Sequence, residues 1–349
     1  QLNASWELDF FGKYRAALDA ALDTVNAAEA DAQAARVLLA SQVARSYIQL
    51  ARLQAQLQVA ERALAQREET LHLVRDRVSA GLDTRLEQYQ SEGGLPEARQ
   101  QIEALHEQLA LARNTLGALI SDPKVALALD IPALSAIKSI VIPAEIPANL
   151  LGQRADIAAA RWRVEAAGKD VVNAKTQFYP NINLVAFAGL SSIGLNRLIG
   201  ADSLQWGVGP ALRLPVFEGG RLRANLRGKT ADLDAAIESY NASVLDAVHD
   251  VAGQLASSRS ITLQQVQQDQ AQKAAENAYG IAMQRYKAGL GNYLNVLTAE
   301  TNVLAQRRQA VDLGSRALDV QVGLARAVGG GYTRVLPATA TSVASASGE

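Results

Sequence analysis

Two long stretches of the chain repeat apolar residues at the spacing of an α-helix. Between Gly220 and Gly289 the sequence contains no proline, and apolar side chains return every three or four positions. The stripe runs through Leu222, Leu226, Leu233, Ile237, Tyr240, Val244, Val248, Val251 and Leu255. This spacing predicts one helix with a coiled-coil-like seam. At about 1.5 Å per residue the helix would be roughly 100 Å long, so other helices must cover its seam.

The first part of the chain carries a second copy of this pattern. Gly12 and Gly81 are 69 positions apart, as are Gly220 and Gly289. The matching turns are Arg77–Leu82 and Arg285–Leu290, and the matching starts are Tyr14–Ala16 and Leu222–Ala224. Every pair has the same offset of 208 positions. A constant register over this distance predicts an internal duplication.

Shorter stretches alternate apolar and polar residues with the period of a β-strand. Leu2–Phe10 alternates strictly, Ile182–Leu190 modestly and Gln205–Val216 clearly. One face of the last stretch has Trp206, Val208, Leu212, Leu214 and Val216, and the other has Gln205, Gly207, Gly209, Ala211 and Arg213. Large apolar residues on one face and small or polar ones on the other are typical of a transmembrane β-barrel strand. Pro210 is unfavourable in a central strand.

These patterns divide the chain into segments. We predict a barrel strand at 1–10, a first helical hairpin at 11–122, a linker at 123–152, a helix at 153–180, a β-hairpin at 181–217, a second helical hairpin at 218–331 and a disordered tail at 332–349. The returning helices are predicted from about Arg85 to Ile120 and from Tyr293 to Val328. Pro96 removes a backbone hydrogen bond of the first and clashes with its preceding turn, which predicts a kink near Glu92. Residues 123–150 are predicted to be irregular, and 191–204 to form an external loop. Because the repeat has no first-half copy of residues 155–190, we expect an upstream stretch that holds the partner of the first strand.

The amino-acid composition argues against several classes of function. The chain is 49% hydrophobic and 5% aromatic, has a net charge of −1 and contains no cysteine. Nothing indicates nucleic-acid binding, thiolate chemistry or a membrane-spanning helix. His72, His106 and His249 lack metal-ligand spacing, which favours surface or packing roles. No catalytic triad, carboxylate pair or phosphate loop is recognisable, so we predict no enzyme activity and no cofactor.

A set of short motifs appears in a fixed order along the chain. It comprises Gln153–Ala160, Phe178–Pro180, Val208–Pro210, Pro215–Arg221, Arg285-Tyr286 with Gly289, and Gly329–Gly331. In order and spacing, from about Leu2 to Gly331, this set closely resembles the outer membrane factor or TolC-like family. Within it the chain is most similar to the RND-type efflux outer membrane lipoproteins (the NodT subgroup).

The resemblance implies a fold, a location and partners. The fold would be mainly α with a small β part, in which duplicated strand–long helix–short helix halves form a trimeric α-helical barrel continuous with a shared 12-stranded transmembrane β-barrel. The homotrimer would lie in the bacterial outer membrane, in contact with its lipids, with its helices in the periplasm. It would passively export drugs or other small molecules delivered by an inner-membrane transporter and a periplasmic adaptor (membrane fusion) protein. A lipid on an N-terminal cysteine would lie upstream of this chain.

The resemblance also implies site residues. Family members close the periplasmic end with inward side chains after the second turn, often aspartates, whereas Asn295 and Thr298 stand here. Glu300 would lie within a turn of them, and Glu87 is the first-half counterpart of Asn295. The expected gate therefore comprises Asn295, Thr298, Arg285, Tyr286 and Tyr293. The expected adaptor-docking tips are Ala80, Gly81 and Leu82, and Ala288, Gly289 and Leu290.

Plainer interpretations remain open at this point. The two tips could be ordinary helix turns, and Asn295 and Thr298 a solvated coiled-coil face. Trp6 and Trp206 could be core residues or part of an aromatic girdle at a membrane interface. The alternative function is a soluble coiled-coil scaffold or adaptor protein. A scaffold gives no reason for alternating strands at the starts of the long helices, and it would need no detergent for extraction.

Overall fold

The secondary structure is dominated by two very long helices. The computed structural model describes residues 2–138, 154–190 and 204–330. In chain order they form β1 (Leu2–Leu8), α1 (Lys13–Ser79), α2 (Arg85–Ile120), α3 (Pro123–Ala128), a 3₁₀ turn (Leu134–Ala136), α4 (Ala155–Thr176), β2 (Asn181–Leu190), β3 (Leu204–Arg213), α5 (Arg221–Lys287) and α6 (Tyr293–Ala327). The predicted tail at 332–349, nearly all of the predicted external loop and residues 139–152 of the linker lie outside the described residues.

The duplication is confirmed at the level of single residues. Helices α1 and α5 each have 67 residues, and both their first and last residues are 208 positions apart. Gly81 and Gly289 end them with φ angles of 73° and 75°. In each turn the residue after the glycine donates its N–H to the carbonyl five positions earlier, at 2.9 Å for Leu82 and 2.8 Å for Leu290. Glycine is the residue that adopts this left-handed helix end without steric cost.

The returning helices begin with side-chain caps. Thr84 and Glu87 form a capping box at the start of α2, and Asn292 caps α6 by accepting from the N–H of Asn295 at 3.1 Å. Helix α2 is continuous through Pro96, and the kink near Glu92 stays a prediction. Residues 123–128, which we predicted to be irregular, form α3. The missed signal is Asp122, whose carboxylate accepts from two backbone N–H groups of the first turn and so caps the short helix.

Three strands form an antiparallel sheet in the order β1-β2-β3. Strand β1 pairs with β2 along its length, from Leu2 opposite Ala188 to Leu8 opposite Ile182. Strand β1 is therefore not a lone strand, and an upstream strand on its other edge stays a prediction. Strand β3 ends at Arg213, earlier than predicted, and Pro210 is tolerated because β3 lies at the edge of the described sheet.

One face of the sheet is wholly apolar, and the other carries the polar side chains of the strands together with a few apolar ones. Every residue on one face is apolar: Leu2, Ala4, Trp6 and Leu8 of β1, Ile182, Leu184, Ala186, Ala188 and Leu190 of β2, and Leu204, Trp206, Val208, Pro210 and Leu212 of β3. The opposite face carries most of the polar side chains: Asn3, Ser5, Glu7, Asn181, Asn183, Gln205 and Arg213. The alternation predicted for β3 is confirmed and extends over all three strands.

The chain divides into two compact units, Gln1–Ala34 with Leu151–Asp246, and Ala35–Leu150 with Ala247–Glu349. In the first unit the apolar stripe of α1 stays exposed at Leu18, Leu22 and Val25. In the second unit Leu39 is also exposed, but Leu50, Leu53 and Leu57 are buried and pack against Leu105 and Leu109 of α2. Within the described residues, none of the helices is long and apolar enough to span a membrane.

Candidate functional site

The turns after α1 and α5 are joined by a buried tyrosine. Tyr286, the penultimate residue of α5, is fully buried, and its hydroxyl donates to Asp83 Oδ2 at 2.5 Å. Arg77 of α1 donates from Nε to the same carboxylate oxygen at 2.8 Å and from Nη1 to the carbonyl of Tyr286 at 3.0 Å. The guanidinium carbon lies 4.6 Å from the centre of the Tyr286 ring. We call Arg77, Asp83 and Tyr286 the tip lock.

The protonation states fit these hydrogen bonds. Burial and the neighbouring Asp83 both raise the pKa of Tyr286, so its hydroxyl keeps its proton and donates. Burial alone would raise the pKa of Asp83, but the hydrogen bonds from Arg77 and Tyr286 outweigh it and hold the pKa below the ordinary value. The lock is therefore a carboxylate that accepts from one cation and one neutral hydroxyl.

The tip lock is built from the differences between the two repeats. Asp83 corresponds to Gly291 at the offset of 208 positions, and Tyr286 corresponds to Val78. Arg77 corresponds to Arg285, but Arg285 is exposed and, within the described part of the chain, its side chain donates only to the carbonyl of Leu290, at 3.4 Å. The structure therefore separates Arg285 from Tyr286, although we grouped them from the sequence.

A small apolar cluster lies behind the lock. Val74 packs with Tyr286, Tyr293 and Val296, and the two tyrosine rings are 5.9 Å apart at 54°. Burial raises the pKa of Tyr293, and its hydroxyl forms a hydrogen bond with the buried Ser91. Of the five predicted gate residues, the structure thus brings together Tyr286 and Tyr293.

Asn295 and Thr298 lie on the exposed side of α6. The Asn295 N–H serves the helix cap, and the Thr298 hydroxyl donates to the carbonyl of Leu294 at 2.9 Å. Glu300 does not share their exposed position. It is only 5% exposed and accepts from Arg67 Nε at 2.7 Å. Whether Asn295 and Thr298 line a pore stays a prediction.

The two tips are exposed in the same way. Ala80, Gly81 and Leu82 are accessible, and so are Ala288, Gly289 and Leu290. Leu82 is 65% exposed and Leu290 is 70% exposed. One turn further on, Leu86 and Leu294 continue the apolar surface in both repeats. We call these four side chains the tip leucines.

The sequence patterns did not identify Arg77 and Asp83 as site residues. Both belong to the matching turns, but the comparison of the repeats draws attention to residues that agree. Asp83 stands where the other repeat has glycine, so its difference was the available signal. A lone acid in one of two otherwise matching turns is an indication of an unequal role.

The apolar face of the sheet is a second candidate surface. Trp6 is 71% exposed and Trp206 is 72% exposed, so neither is a core residue of this chain. Both stand on the face that carries only apolar side chains. Among the described residues no group of three or more His, Asp or Glu side chains could hold a metal ion.

A duplicated helical hairpin with a small sheet that has one wholly apolar, exposed face defines a membrane channel subunit rather than a scaffold. A family model described as outer membrane efflux protein matches residues 1–121 and 146–330. The chain belongs to this family of outer-membrane efflux channels, which are transporters rather than enzymes. Its location is accordingly the outer membrane.

Two individual relatives have names that fit this family. The chain is 35% identical over 337 residues to the multidrug resistance outer membrane protein MdtQ of Escherichia coli O6:H1, covering 95% of this chain and 70% of the relative. It is 34% identical to the pyoverdine export outer membrane protein OpmQ of Pseudomonas aeruginosa, and the match covers 95% of this chain and 69% of OpmQ.

Solved structures give the same result. The outer membrane protein VceC of Vibrio cholerae superimposes with a TM-score of 0.86 at 36% identity, over 95% of this chain and 79% of that one. The outer membrane channel MtrE of Neisseria gonorrhoeae, solved in its open state, superimposes with a TM-score of 0.82 at 28% identity. The match covers 94% of this chain and 74% of MtrE. The predicted fold class is confirmed, and the scaffold alternative is rejected.

Proposed function

We propose that this chain is one of three identical subunits of an export duct in a tripartite system. The observation that carries the proposal is the sheet, because 14 apolar residues form one continuous face and all but Ile182 and Ala186 are exposed. A strand with one apolar and one polar face suits a barrel wall between lipid and an aqueous lumen. Three described strands per subunit cannot close such a barrel, which supports sharing it among subunits.

The duct would work passively, with an inner-membrane transporter supplying energy and a periplasmic adaptor joining the two. The names of MdtQ and OpmQ, with multidrug resistance and pyoverdine export, support small organic molecules as cargo. A lipid anchor would be attached to an N-terminal cysteine upstream of this chain. Mass spectrometry of the native protein would detect such a lipid.

The periplasmic end would open by separation of the two hairpins. The tip lock supports this, since Arg77 and Asp83 belong to the first hairpin and Tyr286 to the second. Tyr293 would support Tyr286 from behind, while Arg285, Asn295 and Thr298 would face the pore or a neighbouring subunit. If so, alanine at Arg285, Asn295 or Thr298 raises the basal conductance, and an unchanged conductance in all three variants removes them from the gate.

Electron microscopy of the full-length protein in detergent tests the proposal. The expected particle has threefold symmetry, a central channel and a detergent belt around the sheets. A monomer, or a particle that stays dispersed without detergent, would contradict it.

The tip leucines are proposed to dock the adaptor. Replacing Leu82 and Leu290 together by aspartate should weaken adaptor binding at least about tenfold, because burying one leucine is worth about 1.5–3 kcal/mol. The measurement is the affinity of the purified adaptor for the immobilised channel. Leu127→Asp is the matched control, since Leu127 is equally exposed but lies on α3. Equal weakening by the control variant would exclude the tips as the docking site.

A further inference from the structure

One aromatic side chain interrupts the polar face of the sheet. Phe187 of β2 lies between Asn3 of β1 and Gly207 of β3, its partners in the two pairings. A Cβ atom built on Gly207 would lie 2.7 Å from Phe187 Cε1. The ring therefore covers Gly207 on the polar face, away from the side of the sheet that carries Trp206.

The strand beside this ring offers bare backbone. Gly209 is the next residue of β3 on the same face, and nothing lies within 4 Å of the position that its Cβ would occupy. Its partner on β2 is Val185. Phe187, Val185 and the backbone at Gly209 thus form a shallow apolar recess, and the ring is 36% exposed.

The surroundings of the recess are polar. Asn3, Ser5 and Gln205 stand next to it on the same face. The exposed part of the ring is available to pack against the ring of an aromatic solute. Covering Gly207 explains why the ring lies where it does, but not why a recess remains open at Gly209.

We propose that Phe187 is a contact residue for solutes in transit, and that the recess retains the aromatic portion of exported compounds. The inference rests on the proposed function, since the polar face lines a lumen only in the closed barrel. Aromatic rings pack edge-to-face or offset, and such a contact changes binding by about two- to twelvefold. A contact of this strength would favour aromatic solutes without trapping them.

Labelling of single cysteines tests where the ring lies. Residues 1–349 contain no cysteine, so Phe187→Cys and Ala186→Cys each add one thiol to this part of the protein. The unsubstituted protein, labelled in parallel, gives the background. These neighbours lie on opposite faces of β2. A charged, water-soluble methanethiosulfonate should modify the thiol at position 187 and leave that at position 186 unmodified. The reverse pattern would overturn the proposal.

Current block in planar lipid bilayers tests the contact itself. Benzyltrimethylammonium and tetramethylammonium carry the same charge, but only the former has a ring. Added on the barrel side, the benzyl compound should block wild-type channels at a concentration about two- to twelvefold lower. Phe187→Tyr should keep this preference, whereas Phe187→Ala and Phe187→Leu should abolish it.

The leucine variant separates contact from structural filling. Leucine still covers Gly207 but has no aromatic ring. The leucine variant therefore gives a result even if the alanine variant does not fold. An unchanged preference in Phe187→Leu, or equal block by both cations in the wild type, would overturn the proposal. Absence of any channel current in the wild type would instead contradict the proposed function.

Discussion

Asp83→Asn should raise the basal conductance of the channel more than any other single change at the tip. Asp83 accepts hydrogen bonds from both Arg77 and Tyr286, and both side chains of the Arg77–Asp83 ion pair are mostly buried. An amide removes the charge and leaves the buried guanidinium without its counter-ion. A buried group that loses its partner costs about 1–3 kcal/mol, which corresponds to a shift of roughly 5- to 150-fold between closed and open states.

Two further variants make this result specific. Tyr286→Phe removes only the hydroxyl group and should raise the conductance by a smaller factor, because the Arg77–Asp83 pair survives. Arg85→Ala is the control, since Arg85 is an exposed arginine at the start of α2, next to the same turn. Equal opening of the channel by this variant would contradict the assignment to the tip lock. Single-channel recordings at neutral pH provide the measurement. If Arg285→Ala opened the channel and Asp83→Asn did not, the lock would lie on the exposed side of the tip.

The pKa of Asp83 gives the same lock a pH dependence. The pKa of Asp83 is lower in the folded tip than its ordinary value of 3.8. The stability that the Asp83 carboxylate gives the closed tip is therefore fully present above pH 3.8, and it is lost as the pH falls through the lower, folded pKa. Mild acidification to pH 5 should therefore leave the basal conductance unchanged. A rise in conductance between pH 7 and pH 5 would show that another group controls closure.

The sequence contained enough information for the helices because their ends are marked by local chemistry. Gly81 and Gly289 stop α1 and α5 by the same left-handed turn, and Thr84 and Asn292 cap the helices that follow. The strands were recognisable because one face had to be wholly apolar. Their pairing was not, since β1 and β2 are more than 170 positions apart and nothing local specifies their contact.

The tip lock could not be predicted from the sequence for a different physical reason. A repeat comparison finds residues that keep one role twice, whereas Asp83 and Tyr286 act together once, across the two hairpins. Glu300 shows the same difficulty, since a carboxylate next to Asn295 and Thr298 in sequence can point either to water or to the helix interface. Only the position of Arg67, more than 200 residues earlier, decides between these alternatives.

Breaking the Arg67–Glu300 pair should cause the largest loss of stability. Glu300 is buried, and Arg67 donates both to it and to the carbonyl of Gly94, at 2.8 Å, so that one side chain ties α1 to α6 and to α2. Glu300→Leu leaves a largely buried guanidinium with one backbone acceptor and with Glu97 at 3.7 Å. Removing one partner of a buried pair costs about 3–5 kcal/mol, which should lower the apparent Tm in detergent by several degrees.

The internal repeat supplies the control for this experiment. Glu92 is the first-half counterpart of Glu300, and its ion pair with Arg75 at 2.9 Å is far more exposed. Glu92→Leu should therefore leave the apparent Tm almost unchanged. The double variant Arg67→Met with Glu300→Leu should recover most of the lost stability, since an apolar pair avoids the cost of dehydrating both charges. If the double variant were as unstable as Glu300→Leu alone, the loss would come from packing around Glu300 rather than from the uncompensated charge of Arg67.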